Sequence, residues 1–207
     1  MEQHSDTFLD KANEALKNSG QAERLDMLAL FAPQIRAAAI DSFEGFDDLR
    51  HHVKKIRQHS LDNLDYYLSQ FEKEAVHNGN QVHFARDSED FNSLVLDICQ
   101  QHDARRIAKG KSIVTEETGL NSFLQSAGIN VMETGLGEYI IQQAGETPSH
   151  IVSPALHKSA EEIRELFQQK HDLGPRELNK TSDLVDEARN VLREHFLQAE
   201  VGVIGAN

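Results

Sequence analysis

The sequence predicts an α/β fold: a layered, mostly parallel sheet over residues 79–207, preceded by a helical N-terminal region over residues 1–78. Three observations lead there. Between Lys111 and His157 stand three short apolar runs, Ile113-Val114, Ile129 to Met132 and Ile151-Val152. Each is too short for a lone helix and is bounded by turn or capping residues, as buried parallel strands feeding helices are. From residue 80 onward strand-like and helix-like patterns alternate, and before residue 78 the apolar spacing is helical throughout.

The N-terminal region reads as helices over 6–18 and 21–42, separated by Asn18-Ser19-Gly20, with Ser5 or Asp6 as the first cap. Leu25, Leu28, Ala29, Ala32, Ile35 and Ala39 form one stripe, which Pro33 should kink or break. Phe46 to His77 is a long amphipathic stretch. Phe46, Leu49, Val53 and Ile56 keep a three-four spacing, and Leu61, Leu64, Leu68 and Phe71 resume it after a phase slip near Ser60. Such a stripe is ordinarily the buried face of a helix packed on its own domain. The sharper reading is a partner-binding helix.

Asn78-Gly79-Asn80 should end that stretch, and Gln81 to Ala85 alternates as a first strand would. Then follow a helix over 88–105 capped by Ser88, a strand over 111–115, a helix over 119–128 and a strand over 129–133. A short helical or irregular piece spans 137–144, and a strand 149–153. Charged helices over 159–171 and 181–198 are divided by Gly174-Pro175. Ser159 with Glu162, and Thr181-Ser182 near Asp183, have the look of N-terminal caps. Val201 to Ile204 is the last strand, an edge exposed to unwanted pairing; modest stability or self-association is expected of it.

The composition sets limits. Apolar residues make up 39% and charged residues 27%, as in a soluble globular chain, and no apolar run approaches the roughly 20 residues of a membrane span. The polar, acidic opening MEQHSDTFLDKANEAL is unlike a signal peptide. A formal charge of −13 argues against nucleic acid, whose phosphates reward basic patches. One cysteine, Cys99, rules out an internal disulfide framework and agrees with a reducing cytoplasm. It sits on an apolar helical stripe, as an inert core thiol does.

Ligands of parallel sheets gather where strands give way to loops at their carboxyl ends. Thr115-Glu116-Glu117 falls at one such end. Its carboxylates suit metal binding or general acid–base work, but Thr115 could equally cap a helix whose dipole both glutamates complement. Glu133 would project at the next end and form an acidic pair with Glu138, while Gly135 and Gly137 either admit a ligand to the backbone or make a tight turn. His150 and His157 flank the 149–153 strand, about 20 Å apart if it is extended, too far to share one metal. His157, on the carboxyl side, is the better candidate acid or base. His52 and His59 are two turns apart on one helix and should be solvated. Lys109-Gly110-Lys111 precedes a strand and is no phosphate loop, and Gly202, Gly205 and Asn207 complete no dinucleotide fingerprint.

KSIVTEETGLN, METGLGEYIIQQAGETPSHIVSPALH and the tail ARNVLREHFLQAEVGVIGAN resemble the LutB family of the LUD-domain proteins, the iron-sulfur subunits of bacterial L-lactate utilization systems. The resemblance covers most of the chain, more weakly in the N-terminal helices. Gly135 departs from it, standing where the family phrase ETDLGE has an acidic residue. The resemblance implies a Rossmann-like fold akin to the sugar-phosphate isomerase and coenzyme A transferase group, cut short on its C-terminal side. It implies oxidation of L-lactate to pyruvate within a multi-subunit electron-transfer complex, with other lactate-utilization subunits as partners. The family's [4Fe-4S] cysteine clusters are expected beyond GVIGAN, so no cofactor is expected in this chain, which alone should not be a catalyst. The residues carried over as a ligand or partner site are Thr115, Glu116, Asn121, Glu133, Glu138 and His157. Two other readings stand beside it: a freestanding, non-redox binding or assembly module, and a transferase or isomerase using a strand-end glutamate.

Overall fold

The computed structural model describes residues 7–150 and 153–205. Its contacts divide the chain into two compact units, one of residues 15–84 and one that contains residues 85–207 together with the first fourteen.

The helical unit begins within α1 (Phe8–Lys17) and contains α2 (Ser19–Asp41), α3 (Phe46–Asp62) and α4 (Leu64–His77). Asn18 alone separates the first two helices. Its Oδ1 accepts the Gln21 amide as an N-cap, so Ser19 and Gly20 open α2 rather than stop α1. α2 runs through Pro33 as one element. The expected phase slip is a joint at Asn63, whose side chain donates to the His59 carbonyl at 2.8 Å. Asn78 and Asn80 end α4 by returning backbone and side-chain N–H groups to Glu74 and Ala75. None of the residues of α2, α3 and α4 is buried, and Leu49, Val53, Ile56, Leu61, Leu64, Leu68 and Phe71 are all exposed. The amphipathic stripe is therefore real, but it does not line a core of its own unit.

Among the described residues the α/β unit holds a three-stranded parallel sheet in the order β2-β1-β3, from β1 (Arg106–Lys109), β2 (Asn130–Glu133) and β3 (Val201–Val203). Around it lie α5 (Ser88–Gln101), α6 (Ile113–Glu117), α7 (Leu120–Ser126), α8 (Leu136–Ala144), α9 (Ala160–Lys170) and α10 (Thr181–Gln198). Successive residues of a strand face opposite sides, and β2 illustrates the result. Val131 joins Cys99, Ile107, Leu120 and Leu124 beneath α5 and α7, while Met132 packs toward Tyr139, Ile140, Phe167 and Leu184 of α8, α9 and α10. Helices thus cover both faces, as a parallel sheet requires. Burying each such Ile, Leu or Phe stabilises the fold by about 1.5–3 kcal/mol.

Several expected elements are corrected. Residues 81–85 form no strand. The central strand is 106–109 and not 111–115. Ser112 Oγ accepts the Thr115 amide and caps α6, so Ile113 and Val114 are helical and exposed. The cap of α5 is Asp87, which accepts the Asp90 amide, in place of Ser88. For α10, Asp183 takes up the amides of Asn179 and Lys180, whereas Ser159 and Glu162 form the expected reciprocal cap of α9. The run Ile151-Val152 lies outside the described residues. Around it Ser149, His150 and Ser153 are not in a strand. The Ser149 amide and hydroxyl both donate to the Pro154 carbonyl, and the Ser153 amide donates to His150 Nδ1.

A polar network ties α8 to α9 and α10. The Tyr139 hydroxyl lies 2.8 Å from His171 Nε2, and His171 Nδ1 lies 3.1 Å from Glu187 Oε1. Glu187 Oε2 accepts from Arg176 Nε at 2.7 Å, and Phe167 stacks on the His171 ring at 4.4 Å. Burial first, then the Glu187 charge, pushes the Tyr139 phenol up to about 12.

Candidate functional site

Lys109 and Glu133 are the last residues of β1 and β2 and stand opposite each other in the parallel register. Their backbones are fixed from both sides. The Lys109 carbonyl accepts the amide and hydroxyl of Thr134, and the Gly110 amide donates to the Val203 carbonyl at 2.7 Å. Gln142 of α8 reads the backbone of β2, accepting the Glu133 amide and donating to the Val131 carbonyl.

The Lys109 side chain is 1% exposed. An ammonium has three N–H groups and no acceptor, and here all three are used. Nζ lies 2.9 Å from Thr115 Oγ1, 2.8 Å from Glu116 Oε1 and 2.7 Å from Glu133 Oε1. Asn121 Nδ2 donates to the same Glu133 oxygen at 2.6 Å. Thr115 is oriented for this contact by donating its own hydroxyl to the Ser112 carbonyl. Desolvating a charge is costly unless partners compensate, and this lysine is compensated on every donor.

Glu133 is not. Its Oε2 is buried and accepts nothing, and neither does the buried Oδ1 of Asn121. Burial pushes the Glu133 carboxyl up, a shift that the hydrogen bonds from Lys109 and Asn121 oppose without cancelling. Two acceptors without donors therefore adjoin a saturated cation. Glu116 is different in kind: its side chain is 43% exposed, the solvent-facing wall of the cluster.

Three of the six expected residues, Thr115, Glu116 and Glu133, thus converge on Lys109 Nζ, and a fourth, Asn121, joins them through Glu133 Oε1; Lys109 itself was not among the expected residues. The triplet Lys109-Gly110-Lys111 is expected to precede a strand and so to be no phosphate loop; Lys109 instead ends β1. Its signal was the run Arg-Ile-Ala-Lys, an apolar pair ending in a lysine just where a strand would end. Thr115 acts inside α6 and not as its cap. Glu138 is in the first turn of α8 and not in a loop, and it lies 3.9 Å from Lys111 Nζ; the partner of Glu133 is Lys109. A Cβ at Gly135 would meet the Glu138 carboxylate, the far end of a flexible side chain that can turn aside, so this contact does not require glycine there. His157 stands apart from the expected strand end. Its Nδ1 is 2.8 Å from Ser149 Oγ and its Nε2 2.8 Å from Glu146 Oε2, and Lys158 also pairs with Glu146. Since Ser149 adjoins His150, the expected 20 Å separation of the two histidines does not hold. An open depression of about 350 Å³ lies beside α8, lined by Leu136, Gly137, Ile140, Pro154 and Leu156.

One close approach lies at the cap of α6. A Cβ on Gly205 would lie 2.6 Å from Ser112 Cβ and 2.9 Å from its Cα. Only glycine lets the segment after β3 pass the cap of α6.

The residues present do not fit a [4Fe-4S] cluster, which takes four thiolates. Cys99, the one cysteine of the sequence, is fully buried in the core beneath α5 and α7, and burial raises its thiol pKa away from the thiolate a ligand requires. Among the described residues no helix is long and apolar enough to cross a membrane.

Comparison with known proteins adds to this geometry. A family model described as "LUD domain" matches residues 68–207. The chain is 40% identical over 97% of its length to "Lactate utilization protein B" of Bacillus velezensis, of which it covers 42%. It is 38% identical over 98% of its length to the protein of that name from Bacillus subtilis, again covering 42%. A Geobacillus protein of the same name is 43% identical over 83% of the chain, which covers 36% of it. The chain thus spans about two fifths of the length of the curated relatives it matches. No solved structure gives a significant match.

Proposed function

Because this chain belongs to the LUD domain family, we propose that it is the amino-terminal part of a LutB-like subunit of an L-lactate oxidation complex. Its partners in that reading are the other lactate-utilization subunits, and its place is the cytoplasm, to which the lone buried thiol is suited. The observation that carries the reading is the likeness to proteins named for lactate utilization across nearly the whole chain. Electron transfer through [4Fe-4S] centres belongs to the longer family form. The residues here contribute a rigid α/β scaffold and a buried charged site at the strand ends. In this reading α8, held by Gln142 to β2, keeps Glu133 in place, and Lys109 holds the carboxylates around it.

The test is genetic. Deletion of the reading frame that carries this chain should abolish growth on L-lactate as sole carbon source and L-lactate-dependent dye reduction in lysates, and the frame restored in trans should recover both. Unchanged growth and dye reduction after deletion would overturn the reading.

A second reading, a non-redox binding or assembly module, draws on a different observation. Helices α2, α3 and α4 carry Met27, Phe31, Ile35, Tyr66 and Phe71 on exposed surface, more apolar side chains than a solvated helix needs. Self-association is its expected outcome, measured as a concentration-dependent sedimentation coefficient. A monomer at all concentrations would count against it.

A further inference from the structure

We infer that α3 and α4 form a dimerisation surface whose partner is a second copy of this chain, α3 of one copy lying antiparallel on α4 of the other about a two-fold axis near Asp62. The inference deepens the assembly reading and rests on it for self-association. It leaves the lactate reading untouched, since a subunit of a larger complex can also pair with itself.

Both helices expose an apolar stripe with the same spacing. Leu49, Val53, Ile56 and Ser60 follow one another at intervals of four, three and four, as do Leu64, Leu68, Phe71 and Ala75. The large apolar members are 44–65% exposed, far more than a helix face packed within its own unit leaves. At about 1.5 Å per residue the helices are about 25 and 21 Å long, so each covers the other's stripe nearly end to end. Stripes of this spacing pack as knobs into holes against a like helix. The chain cannot supply that contact by folding back on itself. A helical hairpin takes a loop of about two to five residues, and here Asn63 alone separates α3 from α4.

The charges beside the stripes identify the second copy as the occupant. One edge of the α3 stripe carries Arg50 and Arg57, and the matching edge of α4 carries Asp65 and Glu72. Each pair is spaced by seven residues, two helical turns, and each of the four directly follows an apolar member of its stripe. Laid antiparallel, Leu49 meets the partner's Ala75, Val53 the partner's Phe71 and Ile56 the partner's Leu68, every pairing centred on Asp62. The same register sets Arg50 beside the partner's Glu72 and Arg57 beside the partner's Asp65, and two-fold symmetry repeats both. Pairing each helix antiparallel with its own copy would instead set arginine against arginine and carboxylate against carboxylate along that edge. Among the described residues Arg57, Asp65 and Glu72 have no ion pair of their own, and Arg50 has only the exposed Asp47 one turn away at 3.1 Å. An anionic lipid surface also attracts helices with cations beside an apolar stripe. Asp65, Glu72 and Glu74 around the stripe of α4 would repel it.

The experiment is sedimentation velocity of the full 207-residue chain over a wide range of concentration, on wild type, on Arg50→Glu/Arg57→Glu, and on that variant with Asp65→Arg/Glu72→Arg added in the same chain. Wild type should be a concentration-dependent dimer. The charge reversal should weaken dimerisation about a hundredfold, because four pairs per dimer turn from attraction to repulsion. The full swap should restore it, which a loss of folding or solubility would not. All four positions are exposed, so the helical circular dichroism of both variants should match wild type. Wild type monomeric at every concentration would overturn this proposal and the assembly reading together. A dimer or larger oligomer that the reversal leaves intact would overturn this surface and leave the assembly reading standing. So would association that the reversal weakens and the swap does not recover.

Discussion

Lys109 Nζ and Glu133 Oε1 lie 2.7 Å apart, joined across adjacent parallel strands at the register pair that ends both. The pair is almost fully withdrawn from water, so its energetics are those of a buried ion pair: breaking it is worse than never having had it. Lys109→Met should cost about 3–5 kcal/mol, because it strands a buried carboxylate. The double variant Lys109→Met/Glu133→Leu should be more stable than the single one. Urea denaturation of the three proteins measures this, and a single variant as stable as wild type would show the pair to be solvated in practice.

Glu133 also sets a pH dependence. Its folded pKa is raised above the ordinary value of 4.5, so between those two values the folded state holds a proton that the unfolded chain has lost. Stability of wild type relative to Glu133→Gln should therefore rise as the pH falls through the raised pKa, and level off near 4.5. Denaturant midpoints of both proteins from neutral pH to 4.5 provide the check; a difference that shrinks with acid would reverse the sign.

The two glycines after β1's other neighbour begins should behave oppositely. Gly205→Ala places a methyl group against the Ser112 backbone, and should cost about 1–3 kcal/mol as overpacking does, with fraying of α6. Gly202→Ala, in β3, meets nothing within 4 Å and should be nearly neutral. Thermal melts of the two variants, run side by side, separate close approach from general intolerance of the segment.

Tyr139→Phe removes the hydroxyl that satisfies buried His171, and should cost about 1–3 kcal/mol. In alkaline titration followed at the tyrosinate band, wild type should keep one phenol protonated until about 12. That last phase should vanish in the variant. Persistence of the late phase would assign it to another tyrosine.

Much of the α/β layering was legible because the apolar runs and caps are local. Ile129 to Met132 names β2, and Ser159 with Glu162 names the start of α9. Where local rules failed, long-range packing had overruled them. Ile113 and Val114 look like a strand, but Ser112 caps a helix there, and the true central strand is inconspicuous because one of its buried positions is alanine and another is lysine. A lysine is read as surface in a sequence, since nothing local says that two carboxylates, a threonine and a strand end will enclose it. Thr115, Glu116, Asn121 and Glu133 were recognisable as a group through family likeness, whereas Lys109, which holds three of them, was not. The apolar stripe of α3 and α4 was read correctly as a stripe. Its exposure depends on what packs beside it, which spacing alone does not encode.

The place of β1 in the middle of the sheet bears on how the protein is made. Lys109 is held by Glu133 on one side, and the strand that carries it is held on the other by Val201 and Val203, more than ninety residues later. Parallel pairing over such a separation forms slowly, since the loop must close before any ladder bond is gained. On the ribosome, β1 and β2 emerge long before residue 203, and until then one edge of the lysine's strand lies open. The second flank of the strand that carries the charged site therefore waits until residue 203 has been made, and the nascent chain carries that open edge meanwhile.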